Sequence, residues 1–201
     1  MKKIFIVITS LIVLIAISGP VYGFIKNALP EKVYKKPVVT IVVEDYGTIT
    51  VELDPNIAKN TVDNFLMYVQ DNAYTGTTFH RVIEDFMIQG GMVDVSKCPI
   101  KGEFSANGVE NNLSHEAGVI STARTNDPNS ATSQFFIMHK TNTGLDGNYA
   151  AFGKVVTGLD IVDQIAVVNT TTSDTPVEDV VISSITVDLN GYKPGTPKCA
   201  N

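Results

Sequence analysis

The sequence predicts a mainly-β domain in which eight short strands and two helices close into a barrel or stack as a sandwich. Three observations predict it. Short runs rich in Val, Ile and Thr alternate with Gly, Pro, Asn and Asp clusters, the pattern of strands joined by turns. Only two stretches repeat apolar residues with helical spacing. A 201-residue chain with 44% hydrophobic residues can bury one sizeable core, so one domain carries these elements. A closed barrel is favoured over a sandwich because closure leaves no exposed sheet edge.

The elements follow in order. Residues 38–44 and 48–53 are rich in β-branched residues and flank Asp45-Tyr46-Gly47, which reads as an antiparallel hairpin. Asp54-Pro55 opens a helical stretch in which Val62, Phe65, Leu66 and Val69 recur at i, i+3, i+4 and i+7. Residues 77–83 and 86–89 read as two strands interrupted at Glu84-Asp85, and residues 96–116 as a long excursion with few regular elements. Residues 119–123 and 135–139 are short apolar strands around a polar loop at 126–130, and residues 150–156 are another strand. A second amphipathic helix is expected over 158–166, with Leu159, Val162 and Ile165 on its inner side. Residues 180–189 form the last strand, and the domain spans residues 37–190. The tail, 191–201, carries Pro194, Gly195 and Pro197 and is expected to be flexible.

Lys2 and Lys3 precede an uncharged stretch, 4–25, whose apolar heart is 4–17. Residues 1–23 are therefore expected to be a signal peptide, cleaved after Gly23, or an N-terminal membrane anchor, with cleavage favoured. Residues 24–36 read as a linker, and either outcome places the domain outside the cytoplasm, touching a membrane only through 4–25 if these stay attached. The formal charge is -6; removing 1–23 takes away two lysines and no acids, leaving 13 positive against 21 negative, or -8. That balance argues against nucleic-acid binding, which normally shows a basic face. Cys98 and Cys199 would share a disulfide-permissive compartment, and the sequence leaves a bridge and two free thiols equally open. His80, His115 and His139 lack ligand spacing, so no metal is expected.

The chain has two arginines, Arg81 and Arg124, against 13 lysines. Arg81 stands in the segment Phe79-His80-Arg81-Val82-Ile83-Glu84-Asp85-Phe86-Met87-Ile88-Gln89-Gly90-Gly91. A planar cation, an apolar pair and an amide at strand-compatible spacing suit a pocket that holds an apolar ring and touches the peptide bond beside it. With Ser133-Gln134-Phe135-Phe136-Ile137, Leu145-Asp146-Gly147 and Phe152-Gly153-Lys154-Val155, this segment resembles the cyclophilin family of peptidyl-prolyl cis-trans isomerases over residues 38–189. The resemblance implies an eight-stranded antiparallel β-barrel capped by two α-helices, with no cofactor. It implies Arg81 as the catalytic residue and Phe86, Met87, Phe136 and Leu145 as the proline pocket. Gln89 and Gln134 match polar positions at its edge, Ala123 a small residue under the substrate backbone, and Arg124 and Thr125 follow it. Two departures stand out: Gly144 replaces a frequent tryptophan, and Tyr149 a frequent histidine. Both resemble bacterial members, and the missing indole implies weak binding of the macrocyclic inhibitor cyclosporin.

The expected partners are proline-containing polypeptides, and the expected state is a monomer. A domain that binds such segments without turnover is the alternative, and retention of Arg81 with a complete apolar pocket argues for turnover. A serine hydrolase is not supported, because no Gly-x-Ser-x-Gly elbow surrounds Ser133. His80 reads as structural, its side chain pointing away from that of Arg81.

Overall fold

The computed structural model describes residues 33–200. The strands are β1 (Val38–Val43), β2 (Gly47–Leu53), β3 (Arg81–Ile83), β4 (Met87–Gly90), β5 (Val119–Thr122), β6 (Phe135–Met138), β7 (Ala151–Thr157) and β8 (Ile182–Asp188). The helices are α1 (Lys59–Gln70) and α2 (Leu159–Ala166). One antiparallel sheet runs β3-β4-β6-β5-β7-β2-β1-β8. The expected strand count, strand polarity and helix count therefore agree with the structure.

The barrel is open, not closed as expected. The curled sheet ends in β3 and β8, and among the described residues one isolated bridge, Thr78 to Val181, links the segments that precede them. Flanking bonds run from Phe79 N to Val180 O (2.9 Å) and from Ile182 N to Thr77 O (2.8 Å). Further along, Val82 N donates to Asp174 O (2.8 Å), so the loop after α2 takes the hydrogen bonds that a continuing ladder would use. The strand expected over 77–83 shortens to Arg81–Ile83, because residues 77–79 pair only through the isolated bridge and its flanking bonds.

Strand alternation fills the interior. Val39, Ile41 and Val43 of β1 and Ile49, Val51 and Leu53 of β2 are all buried, one face of a period-two pattern. The helix α1 adds Val62, Phe65, Leu66 and Val69, and Phe65 meets Tyr74, Phe135 and Phe152 at ring separations of 5.3–5.5 Å. In α2 Val162 and Ile165 are buried as expected, but Leu159, the first residue of the helix, is 40% exposed. Gly158 before it has φ 85°, and a Cβ there would sit 2.3 Å from Thr48 O, so only glycine lets α2 start against β2.

The excursion over 96–116 is tied down. Ala58, at the start of α1, offers no side-chain cap; the carboxylate of Glu103 accepts from Asn60 N (3.2 Å) and Thr61 N (2.7 Å) instead. A negative group thus meets the positive end of the helix. Cys98 and Cys199 form a disulfide with Cα atoms 5.6 Å apart, which decides the alternative left open by the sequence.

Two boundary expectations need correction. The tail is packed over its described residues: Tyr192 is buried with its hydroxyl donating to Asp63 (2.6 Å), and Asn60 exchanges hydrogen bonds with Lys198. The buried ring and the disulfide outweigh the local effect of Pro194, Gly195 and Pro197. Likewise the last part of the expected linker belongs to the domain, since Lys36 pairs with Glu52 and Asp54, and Tyr34 N donates to Asn56 (2.6 Å). The expected signal or anchor, 1–23, and the linker residues 24–32 lie outside the described residues. Among the described residues no helix is long and apolar enough to cross a membrane.

Candidate active site

The site begins with the β3–β4 hairpin. Asp85 takes the left-handed conformation at its turn (φ 59°), and its N–H donates to His139 Nδ1 (2.9 Å). The resulting register pairs Arg81 with Gln89 and Ile83 with Met87, and the next ladder pairs Gln89 with Phe136. Alternation then puts Arg81, Met87, Gln89 and Phe136 on one face and sends Val82, Ile88 and Ile137 into the core.

A cavity of about 270 Å³ opens on that face, lined by Arg81, Phe86, Met87, Gln89, Ala123, Arg124, Phe136, Leu145 and Tyr149. All the expected site residues line it except Gln134 and Thr125. Gln134 stands just behind the wall, accepting from Gln89 Nε2 (2.9 Å). Thr125 is placed away from the wall: its N–H and hydroxyl both bond Ser130, so it belongs to the turn that follows Arg124. A larger hollow, about 870 Å³, lies between α1 and the tail. Within it Lys59 pairs with Asp63 and Glu103 is engaged with the start of α1, and none of the expected site residues lines it.

Arg81 is 44% exposed, lines the cavity and contacts Asp174 through Nε (3.3 Å), so its terminal nitrogens are not used in that pair. The floor is apolar. Phe136 is buried and meets the edge of Tyr149 at a ring separation of 5.7 Å. Behind it, the His115 ring stacks on Phe136 at 6.1 Å. His115 also links to Asp146 through Nδ1 (2.8 Å) and to Ser121 through Nε2 (3.0 Å). With a carboxylate at Nδ1, that nitrogen carries the proton and Nε2 accepts the Ser121 hydroxyl. Burial lowers the His115 pKa below its usual value, and Asp146 only partly opposes it. For Asp146, burial pulls upward, but bonds from the His115 N–H, Ser114 and the His115 ring win and hold the carboxyl below its usual range. The order Ser121–His115–Asp146 resembles a hydrolytic triad only on paper: Ser121 is fully buried, so no substrate reaches its hydroxyl.

The family model for "Cyclophilin type peptidyl-prolyl cis-trans isomerase/CLD" matches residues 38–187, most of the chain. The chain belongs to the cyclophilin family. A peptidyl-prolyl cis-trans isomerase of Acinetobacter baylyi is 43% identical over 156 residues, covering 70% of this chain and 80% of that protein. One of Streptomyces antibioticus is 44% identical over 156 residues, covering 69% and 91%. Among solved structures, a cyclophilin-type isomerase of Cryptosporidium parvum, determined in the presence of the dipeptide Ala-Pro, superimposes with a TM-score of 0.67 at 26% identity, covering 75% and 98%.

In this cyclophilin the residues that sequence reading missed are the supporting ones. Asp174 holds Arg81, Phe104 lies under Arg124, and His115 and Ser121 back Phe136. Each acts across a long sequence separation, and nothing local marks it. Asp146 stood inside a recognised block, yet its role depends on His115, which only the fold brings near.

Proposed function

We propose that this cyclophilin accelerates cis–trans rotation of X-Pro bonds, with Arg81 as the catalytic residue. Amide resonance opposes rotation with a barrier of about 18–20 kcal/mol. The cis and trans X-Pro forms differ by only about 0.5–1 kcal/mol, so both are populated and exchange slowly. No covalent bond has to form or break. As the bond twists, the proline nitrogen becomes pyramidal and regains its lone pair. A guanidinium donating to that nitrogen interacts more strongly with the twisted form than with the planar one, which is differential stabilisation. Every 1.36 kcal/mol so gained is about tenfold in rate.

The observation that carries this reading is the register that sets Arg81 beside Gln89 above an apolar floor, with only Nε spent on Asp174. Phe86, Met87, Phe136 and Leu145 hold the proline ring and exclude water, which strengthens the arginine's field. The test is a protease-free exchange measurement on a short X-Pro peptide. The wild type should accelerate exchange and Arg81→Ala should lose most of the effect; wild-type binding without acceleration would favour the non-catalytic binder.

The setting we propose is the folding of exported proteins. A disulfide between Cys98 and Cys199 fits an oxidising compartment, and the uncharged stretch 4–25 behind Lys2 and Lys3 fits export. N-terminal sequencing of protein recovered from the native host should find Phe24 first. An intact residue 1 on membrane-bound protein would replace cleavage with anchoring, and reduced cysteines on cytosolic protein would overturn the setting.

A further inference from the structure

Both arginines of this chain line the same cavity, yet only Arg81 has an acidic partner. Among the described residues no carboxylate pairs with Arg124, and no Asp or Glu lines the cavity. Arg124 is nonetheless fixed. Its Nε and Nη2 donate to Asn148 O (3.1 and 2.9 Å), and Nη1 donates to Thr125 O (2.7 Å). Its guanidinium carbon lies 4.6 Å from the centre of the Tyr149 ring and 5.4 Å from that of Phe104. These partners are neutral carbonyls and ring faces, so they orient the cation without cancelling its charge. Three of its five N–H donors are used, and two remain.

A mobile surface arginine gains little from an ion pair, because ordering the side chain offsets much of the attraction. Here folding has already ordered it. In a chain of net charge -6, which as a whole repels acidic ligands, a fixed and uncompensated cation at the site is a local exception. Tyr149 connects it to the floor, stacking on Arg124 and meeting Phe136 edge-on. The two contacts, 4.6 and 5.7 Å long, put the cation no more than about 10 Å from the centre of the Phe136 ring, within reach of two extended residues at about 3.3–3.6 Å each together with a carboxylate side chain.

We propose that Arg124 is a specificity-determining residue that favours substrates with a carboxylate side chain, Glu or Asp, within two residues of the proline. The proposal rests on the isomerase reading above. Its test uses the full-length protein and matched blocked peptides with Glu, Gln or Lys placed before or after the proline, followed by protease-free exchange. From one flank, the Glu peptide should exceed the Gln peptide in kcat/KM by about three- to fivefold, the scale of one partly exposed ion pair. The difference should sit mainly in KM, and Lys should fall below Gln. In about 1 M salt, where the screening length is about 3 Å, the ratio should shrink towards one.

Arg124→Gln should bring the Glu-to-Gln ratio to about one whatever its absolute rate, and Arg124→Lys should keep part of it. Equal wild-type rates for Glu and Gln peptides at both flanks would overturn the proposal, as would a ratio that survives Arg124→Gln. If the wild type turns over no peptide, the isomerase reading fails instead. Titrating the same peptides into the protein then reads the preference as a ratio of dissociation constants, equal values overturning it. The salt series needs no variant, so a poorly folding Arg124→Gln does not remove the test.

Discussion

Phe135 and Phe136 are neighbours on β6 that face opposite ways. Phe135 joins the interior cluster with Phe65, Tyr74 and Phe79, all buried and sealed by α1. Phe136 joins a smaller cluster with Met87, Val119, Met138 and Ala151, bordered by Phe86, Leu145 and Tyr149 at the cavity. Both rings are buried, yet one is surrounded by hydrocarbon and the other has a cavity on one side and, behind it, the buried Ser121–His115 pair hydrogen-bonded on to half-buried Asp146. One strand thus serves two apolar compartments, and burial alone does not distinguish the packing residue from the one that lines the cavity. What distinguishes them is the polar structure behind the ring.

The largest effect should come from the interior side. Phe135→Ala should cost about 3–5 kcal/mol in urea-unfolding stability, as expected for a large-to-small change in a close-packed core. Phe136→Ala should cost less, about 1–3 kcal/mol, because one side of the ring already opens on a cavity. It should lose proportionately more turnover. Equal stability losses would merge the two compartments into one core.

Next is the disulfide. Replacing Cys98 and Cys199 with serine should lower stability by about 2–4 kcal/mol, since the bridge closes a loop of 101 residues in the unfolded chain. Turnover at room temperature should change little, because neither sulfur borders the active cavity. A loss of turnover without a loss of stability would connect the tail to the site.

The site compartment should also respond to acid where the interior does not. His115 has its pKa lowered from 6.5 by burial, so the unfolded chain takes up the proton first. Its contribution is therefore complete above about pH 6.5 and is lost as pH falls towards the lower folded value, with a slope of at most about 1.4 kcal/mol per pH unit for one proton. His80 is shifted downward by burial too and adds in the same direction. The lowered carboxyl of Asp146 acts only further down, below about pH 4. Urea midpoints at about pH 7.5 and 5.5 should fall for the wild type and fall less for His115→Gln; identical wild-type midpoints would contradict the assignment of a neutral imidazole behind Phe136.

The smallest effect concerns Gly144. It does not take a left-handed φ, and a Cβ there would meet only Asn142 Oδ1 at 3.0 Å, so tryptophan needs a modest shift of one side chain. Gly144→Trp should tighten cyclosporin binding by about 1–3 kcal/mol if the indole is buried by the ligand, with little change in turnover on short peptides. Unchanged weak binding by a folded variant would show that Gly144 does not set the height of that wall.

Much of this was legible from sequence because strands announce themselves by β-branched alternation and the site residues sit in compact blocks on β3, β4 and β6. Arg81, Met87 and Gln89 are two or more residues apart along one hairpin, so period two alone places them together. The rest was hidden by distance along the chain. Asp174 closes on Arg81 across 93 residues, and Glu103 caps α1 across more than 40. The same loop that supplies Asp174 keeps β3 and β8 from pairing fully, so a composition argument for closure overstated the ladder. The tail misled for a local reason: proline and glycine describe backbone preference, whereas Tyr192 and Cys199 are held by partners more than 100 residues earlier.

The central claim is that a planar guanidinium, not positive charge alone, drives rotation over the apolar floor. Comparing Arg81→Lys with Arg81→Ala in protease-free exchange tests it most directly. Lysine keeps the charge but loses the planar array of donors. The account predicts that kcat falls nearly as far with lysine as with alanine, about 100-fold or more for loss of a donor aimed at the transition state. Peptide affinity and urea stability should change far less, since Arg81 is half exposed and makes one weak ion pair. Recovery of most of the rate by Arg81→Lys would contradict it.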